Sequence, residues 1–512
     1  MRLAEEEQYA EVFRTEHLKA DLKRRSMRGG ALTMMAQAVK VALQFGSTAA
    51  LARLLVPADF GLIAMVLAVT GFIAMFKDAG LSMATLQRPE INHAQVSSLF
   101  WVNVALSAAL MALVAALAPL LAWFNNEPRL LGITLALAAT FILGGLTVQH
   151  LAILRRQMRF RALVAIDLAT AVARIATGIA LALAGFGYWS LVGMAVAEAA
   201  AGCALVWYVT PWRPGRFRRD CGIGPMLGFG GRLTAAALFN YICENLPLIL
   251  IGRALGSTSV GLFDRAYRLT LMPTSQMSSP ASSVAIPALC RVQDEPERYR
   301  NICRRMILLA CGVTVPIAVV GVLTAPELIH IYLGDQWSPA ARVFTYLSPL
   351  AATEAISVIA IWILVTTGNS RACLRFSIFN ALFSGLSVAI GVRYGLQAAA
   401  LWFSGVGVLV RTPLLYRFVV ANTVMEWSDL LGRPSWFIGG GAVLTVSGLY
   451  CRYGLLHLHG PSLAWAACAA AAIAIVWLPL MWHARMLEEI ASLRATWSDA
   501  PRPTGSAATV GR

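Results

Sequence analysis

Apolar residues in this chain come in blocks of about 20, the length needed to cross bilayer hydrocarbon as a helix, separated by short connections rich in arginine. Fourteen such blocks lie near residues 31–52, 60–77, 96–123, 129–152, 163–184, 187–209, 229–252, 269–289, 306–325, 341–366, 372–392, 395–420, 435–451 and 461–483. They predict an all-α polytopic membrane protein with about 14 transmembrane helices. The first block is interrupted by Gln37, Lys40, Gln44 and Ser47. The spacing i, i+3, i+7, i+10 puts all four on one helix face. A charge near the bilayer centre costs at least about 2.5–3.5 kcal/mol unless it faces protein or water, so the stripe is expected to line a polar cavity.

Composition agrees: 58% of the 512 residues are hydrophobic and 13% are charged. A net charge of +16 would point a soluble protein toward nucleic acid, but the placement of the cations gives a different reason for it. With the N-terminus inside, thirty Lys/Arg fall on inside segments, eight fall outside and four lie within spans. This asymmetry predicts both termini in the cytoplasm and leaves no role for nucleic acid as a partner. Residues 1–30 carry acids where a signal peptide has a basic start, and are expected to form a cytoplasmic helix. The nine cysteines are scattered with no Cys-x-x-Cys pair and read as small apolar filler. His457 and His459 have no accompanying ligand cluster, so no metal is expected.

The chain matches itself at an offset of 200 residues. Arg53, Leu55, Gly61 and Leu62 fall opposite Arg253, Leu255, Gly261 and Leu262, with Lys40 opposite Asn240 and Gln44 opposite Glu244. The matched spans are the first and the seventh, so both copies have the same orientation, a parallel pseudo-twofold repeat. The expected organisation is a cytoplasmic N-terminal helix (1–30), an N-lobe of six helices (31–209), a basic linker (210–228), a C-lobe of six helices (229–420), two extra C-terminal helices (421–485) and a cytoplasmic tail (486–512). The linker segment Pro211–Asp220, broken by Pro and Gly, should run along the inner membrane surface; a positive-inside loop already accounts for its arginines.

Further polar residues sit inside spans. Asp167 and Arg174 share a face of the fifth, with Arg174 about 16 Å from the inner end. The seventh carries Arg232, Asn240 and Glu244; Glu198, Glu354 and Arg411 lie in the sixth, tenth and twelfth. Either Arg232 and Arg411 snorkel to inner headgroups or they face a cavity. Either Asp167 and Arg174 neutralise one another or both serve a ligand. Lys40, with no acid nearby in sequence, and Arg174 are the strongest candidates to attract an anion. Glu244 and Glu354 suit loading of H⁺ or Na⁺, the alternative being that each balances an arginine. No phosphate-binding Gly-x-x-x-x-Gly-Lys, His-Glu-x-x-His or Asp-x-Asp motif is present, and the outside connections are short. Transport is therefore expected, rather than catalysis, with no cofactor beyond a coupling ion.

Several motifs resemble Wzx-type polysaccharide flippases of the multidrug/oligosaccharidyl-lipid/polysaccharide (MOP) flippase superfamily. These are Asp78-x-Gly80-Leu81-x-x-Ala84-x-x-Gln87-Arg88; Asn240-Tyr241 through Ile251-Gly252-Arg253-x-Leu255-Gly256; Arg265-Ala266-Tyr267-x-Leu269 with Pro273; Val284-x-x-Pro287-Ala288-Leu289; and Leu333-Gly334-Asp335-Gln336-Trp337. The resemblance, spanning residues 30–420, implies two lobes, a cationic cavity and alternating access. The implied ligand is an undecaprenyl-pyrophosphate-linked oligosaccharide, moved from the cytoplasmic to the periplasmic leaflet of the bacterial inner membrane in exopolysaccharide or lipopolysaccharide biosynthesis. A polysaccharide polymerase and export machinery would be further partners. On this view the diphosphate meets Lys40 and Arg174, with Arg232 near the entrance and Arg411 a further cation. Gln37, Gln44 and Asn240 bond sugar hydroxyls, and Glu244, Glu354, Asp167 and Glu198 are the ion-coupling candidates. The resemblance also implies an acid shortly after Asn245, where this chain has Pro247; either Glu244 supplies that charge or it is absent. Three alternatives remain: a drug/cation exporter of the same superfamily, a peptidoglycan-precursor flippase, or a membrane polysaccharide polymerase or ligase. The basic residues argue against the first, the motifs against the second and the short loops against the third.

Overall fold

A computed structural model describes residues 22–77, 82, 85, 91–218, 224–458 and 461–483. Among the described residues there are helices and no strands, and eleven helices are long and apolar enough to cross a membrane. The all-α polytopic class expected from the hydrophobic blocks is the class observed. Most of the expected cytoplasmic N-terminal helix and the C-terminal tail lie outside the described residues. The helices form two compact units, one running to Asp264 and including Tyr332–Trp337, the other comprising Arg265–Ile331 and the chain from Ser338 onward.

The first unit contains α1 (Leu22–Leu54), α2 (Pro57–Ala74), α3 (His93–Asn125), α4 (Arg129–Gly145), α5 (Val148–Arg156), α6 (Phe160–Leu183), α7 (Trp189–Val209) and the first part of α8 (Gly224–Arg291). Local chemistry sets the ends. Pro57 opens α2, where a missing N–H costs nothing. At the start of α3 the Asn92 side chain accepts from the Gln95 amide at 2.8 Å and Gln95 answers from its own side chain. The helix ends on Asn126 in the left-handed region, φ 52°. Within α8, Gly256 has φ 78° and breaks the run into two helices, as only glycine does without strain.

Two glycines of the repeat meet within this unit. A Cβ on Gly61 would overlap the Ser257 carbonyl, and a Cβ on Gly261 would overlap the Pro57 carbonyl. Pro57 and Ser257 are themselves 200 residues apart, so the contact is reciprocal.

The Leu333–Trp337 motif closes the C-terminal end of α1, whose last carbonyls have no partner in their own helix. Trp337 Nε1 donates to the Ala52 carbonyl at 2.7 Å, while Gln336 donates to Ala52 and, at 3.0 Å, to Leu55. The Trp337 ring stands edge-on to Phe60, 5.3 Å between centroids. Of the Asp78–Arg88 motif only Ser82 and Thr85 are described. The Thr85 hydroxyl donates to Gln149 at 2.8 Å, and its carbonyl accepts from the buried Arg156 at 3.0 Å.

The linker after α7 is seated on the start of α3. Trp212 is fully buried and donates to His93 Nδ1 at 3.0 Å. The Gly215 N–H donates to Ser97 Oγ and its carbonyl accepts from Trp101. Arg219 and Asp220 lie outside the described residues.

The second unit is built on α9 (Pro296–Leu323), which packs against α12 (Pro349–Thr366), α17 (Pro434–Leu449) and α18 (Leu463–His483). Its other helices are α10 (Ala325–Tyr332), α11 (Ser338–Leu347), α13 (Ser370–Gly391), α14 (Leu396–Val406), α15 (Thr412–Asn422) and the short α16 (Trp427–Leu431). The block expected as one span over 341–366 is divided: α11 ends at Leu347 and Pro349 opens α12, because proline cannot continue the preceding hydrogen-bond ladder. The last helix, α18, is bound to α9 by two tryptophans. Trp477 donates to Gly312 at 2.7 Å, and Trp465 to Leu323 at 2.9 Å. Arg452, on a π-helical turn after α17, forms an ion pair with Glu327, both side chains 1% exposed.

Candidate functional site

The first unit carries an open pocket of about 480 Å³ among α2, α4, α6 and α7. Lys77, Asp167 and Glu198 bring charge to it, and Thr70, Thr140, Thr147 and Thr170 bring hydroxyls. Each threonine donates to a carbonyl three or four residues earlier, of Val66, Leu137, Gly144 and Asp167 respectively, which fixes the hydroxyl and leaves oxygen lone pairs available to a ligand. Glycines make the room: a Cβ on Gly144 would overlap the Lys77 ammonium, and one on Gly71 would overlap the Tyr241 hydroxyl. That hydroxyl donates to the Leu67 carbonyl at 2.7 Å.

Arg174 on α6 forms its ion pair with Glu198 on α7, at 3.7 Å, rather than with Asp167 on its own helix. The partner of Arg174 comes from the adjacent helix, and Asp167 lines the pocket together with Glu198. Lys40 lies half-exposed on α1, which packs against α6; Gln37 and Gln44 are exposed, and Ser47 is buried with its hydroxyl on the Gln44 carbonyl. Glu244 is exposed on α8. The side chains of Arg232 and Asn240, also on α8, lie outside the described residues.

The second unit has its own polar centre. Gly407–Arg411 forms a π-helical turn between α14 and α15, and Arg411 is drawn inward. Its guanidinium donates to Asn380 at 3.1 Å and to Ser384 at 2.7 Å on α13, and lies 4.7 Å above the Phe403 ring. Its charge acts on Glu354 of α12. Of the two alternatives for Arg411, snorkelling outward is not what the geometry shows: Nη1 donates to the Asn380 and Ser384 side chains and Nη2 to the Phe403 carbonyl at 3.4 Å, all within the unit. Sequence reasoning missed Lys77, counted there only as an inside charge, and Asn380 and Ser384, although Ser377, Asn380, Ser384 and Ser387 repeat at i, i+3, i+7, i+10 as Gln37, Lys40, Gln44 and Ser47 do. The position of Lys77 directly before the Asp78-x-Gly80 motif was the available signal.

This architecture recurs in a solved structure. The lipid II flippase MurJ in an inward closed conformation matches with a TM-score of 0.67 over 89% of this chain and 99% of its own, at 13% identity. That likeness is one of fold: an all-α polytopic membrane architecture shared with MurJ. Among curated relatives, the lipopolysaccharide biosynthesis protein WzxC of Escherichia coli (strain K12) is 22% identical over 72% of this chain and 76% of its own length. The succinoglycan biosynthesis transport protein ExoT of Rhizobium meliloti (strain 1021) is 25% identical over 70% of this chain and 73% of its own length. The family model for polysaccharide biosynthesis proteins matches residues 50–342. The chain belongs to that family and is a Wzx-type flippase acting in polysaccharide biosynthesis.

Proposed function

We propose that the cargo is an oligosaccharide on undecaprenyl pyrophosphate, moved from the cytoplasmic to the periplasmic leaflet of the bacterial inner membrane by alternating access. The polyprenyl tail stays in lipid, while the diphosphate and glycan require a polar route. Lys40 and Arg174, with Arg232 and Arg411, attract the diphosphate. Gln37, Gln44 and Asn240 bond sugar hydroxyls, and Asp167, Glu198, Glu244 and Glu354 take up the coupling H⁺ or Na⁺. The single observation that carries this reading is the Arg174–Glu198 pair beside the threonine-lined cavity. An arriving diphosphate competes with Glu198 for the same guanidinium, and a cation from solution then replaces Arg174 at the carboxylate. Cargo and ion are thereby linked at one residue. Polymerase and export components consume the glycan on the far side.

The experiment is deletion of the gene, with mass spectrometry of the lipid-linked oligosaccharides that accumulate, followed by complementation. Arg174→Ala and Lys40→Ala, shown to be stably inserted, should leave the intermediate accumulated. Normal polymer export by both would overturn the assignment of the cations.

A further inference from the structure

Arg411 owes its direction to one extra residue in the helix that carries it. Along α14 the buried positions Ala400, Phe403, Ser404 and Gly407 recur every three or four residues, a register that would next bury Arg411. The π-helical turn adds a residue to that register. Thr412 takes the buried position instead, its hydroxyl donating to the Gly407 carbonyl at 3.0 Å, and Leu415, Tyr416 and Val419 continue from it. Arg411 is left beside the packed face, half-buried and turned to α13.

A polar stripe receives it. Ser377, Asn380, Ser384 and Ser387 on α13 have the same i, i+3, i+7, i+10 spacing as Gln37, Lys40, Gln44 and Ser47 on α1. The stripe on α1 contains its own cation, Lys40, whereas the four positions on α13 carry no charge and Arg411 brings one to them from outside that helix. Nη1 has two protons, and both are used, on Asn380 Oδ1 and Ser384 Oγ. The Phe403 ring lies under the guanidinium, its centroid 4.7 Å from the central carbon. Gly407 backs the group: a Cβ there would overlap Arg411 Nη2 and the end of Leu350 on α12. A long arginine side chain thus gives up its rotamer freedom before a ligand arrives, which lowers the entropy lost on binding.

Resting on the reading that Arg411 attracts the cargo diphosphate, we propose that Asn380, Ser384 and Gly407 are positioning residues for cargo recognition, holding the guanidinium at the angle at which it meets that group. Each acts through Arg411. Gly407 does so by absence, since a methyl group in its place displaces the ends of two side chains and not the backbone.

The test titrates the full chain, purified in mild detergent, with undecaprenyl pyrophosphate, which carries the diphosphate without a glycan. Arg411→Gln should weaken binding about tenfold, and Asn380→Ala, Ser384→Ala and Gly407→Ala about fivefold each, as expected for charge-assisted hydrogen bonds lost or misdirected. Ser384→Thr keeps the accepting hydroxyl and should bind as the parent does. Ser387→Ala, on the same stripe but with its hydroxyl on the Ser384 carbonyl, should also bind normally. In the Arg411→Gln background, Ser384→Ala and Gly407→Ala should add no further loss, because the group they aim is gone. Parental binding by Arg411→Gln would remove Arg411 from the cargo site, and the proposal with it. Weak binding by Arg411→Gln beside parental binding by the three alanine variants would keep the cation and overturn the positioning role alone. The same role would be overturned by equal losses in Ser384→Thr and Ser384→Ala, or by losses that add to that of Arg411→Gln, since either marks a general loosening of the packing.

Discussion

Gly61 and Gly261 lie backbone to backbone, and a Cβ on either would overlap a carbonyl beside the other: Gly61 against the Ser257 carbonyl, Gly261 against the Pro57 carbonyl. The offset of 200 that aligns the two halves of the sequence also aligns these four residues. The repeat is therefore present as a symmetric contact and not only as a similarity of letters.

Gly61→Ala and Gly261→Ala should each destabilise the protein by about 1–3 kcal/mol, the usual cost of forcing added volume into a close-packed contact. Gly46→Ala, with open space around it in the interior of α1, should stabilise by up to about 1 kcal/mol. Because moving the two segments apart relieves both clashes, the double variant should cost less than the two singles together. Thermal unfolding in detergent measures all four.

Removing one partner of the Arg452–Glu327 pair should be among the most damaging single changes. Glu327→Ala removes the carboxylate from a buried guanidinium that also donates to the carbonyls of Leu323 and Leu458, an expected loss of about 3–5 kcal/mol. Replacing both residues by leucine should recover much of that loss. Accumulation of folded protein, assayed by size-exclusion chromatography, distinguishes the two variants.

Asp429 gives the protein an acid limit. Burial pushes its carboxyl upward, but hydrogen bonds from Arg300, the Glu426 amide and Arg304 together outweigh burial and hold it below its ordinary value of 3.8. A group depressed in the folded state contributes stability that is complete above its unfolded pKa and is lost as pH falls through the folded one. Stability should thus be flat with respect to this group above about pH 5 and fall below about pH 4. Asp429→Asn should be less stable at neutral pH and lack this component of the acid dependence, as read from unfolding midpoints across pH 3–7.

Arg411→Lys should not substitute for arginine. A lysine ammonium is a point charge, whereas Arg411 reaches Asn380, Ser384 and the Phe403 ring with one planar group. Polymer export by Arg411→Lys should fall nearly as far as that of Arg411→Gln, about tenfold or more, corresponding to loss of a charge-assisted hydrogen bond. Export at the parental level by Arg411→Lys would mean that only the charge matters.

Hydrophobic blocks revealed the membrane class because bilayer thickness acts on every span alike. The repeat was legible at Gly61 and Gly261 because both copies need the same missing side chain. Partners across helices were not: Arg174 finds Glu198, 24 positions along the chain, and nothing in a 3.6-residue periodicity links them. The same limitation hid Asn380 and Ser384 around Arg411. The Ser348–Pro349 break passed unnoticed because apolar residues continue on both sides of it. The burial of Trp212 was hidden by the arginines around it, which made the linker look solvated throughout.

The closure of α1 by Gln336 and Trp337 has a consequence for biosynthesis. The Ala52 carbonyl leaves the ribosome some 285 residues before the indole that will satisfy it, a separation set by the hydrogen bond itself. The first helix is consequently inserted long before its end can be finished, and final consolidation around Phe60 must wait until most of the chain has been synthesised. A nascent chain arrested before Leu333 should expose that unfinished end to quality-control proteases, whereas one arrested a few helices later should not.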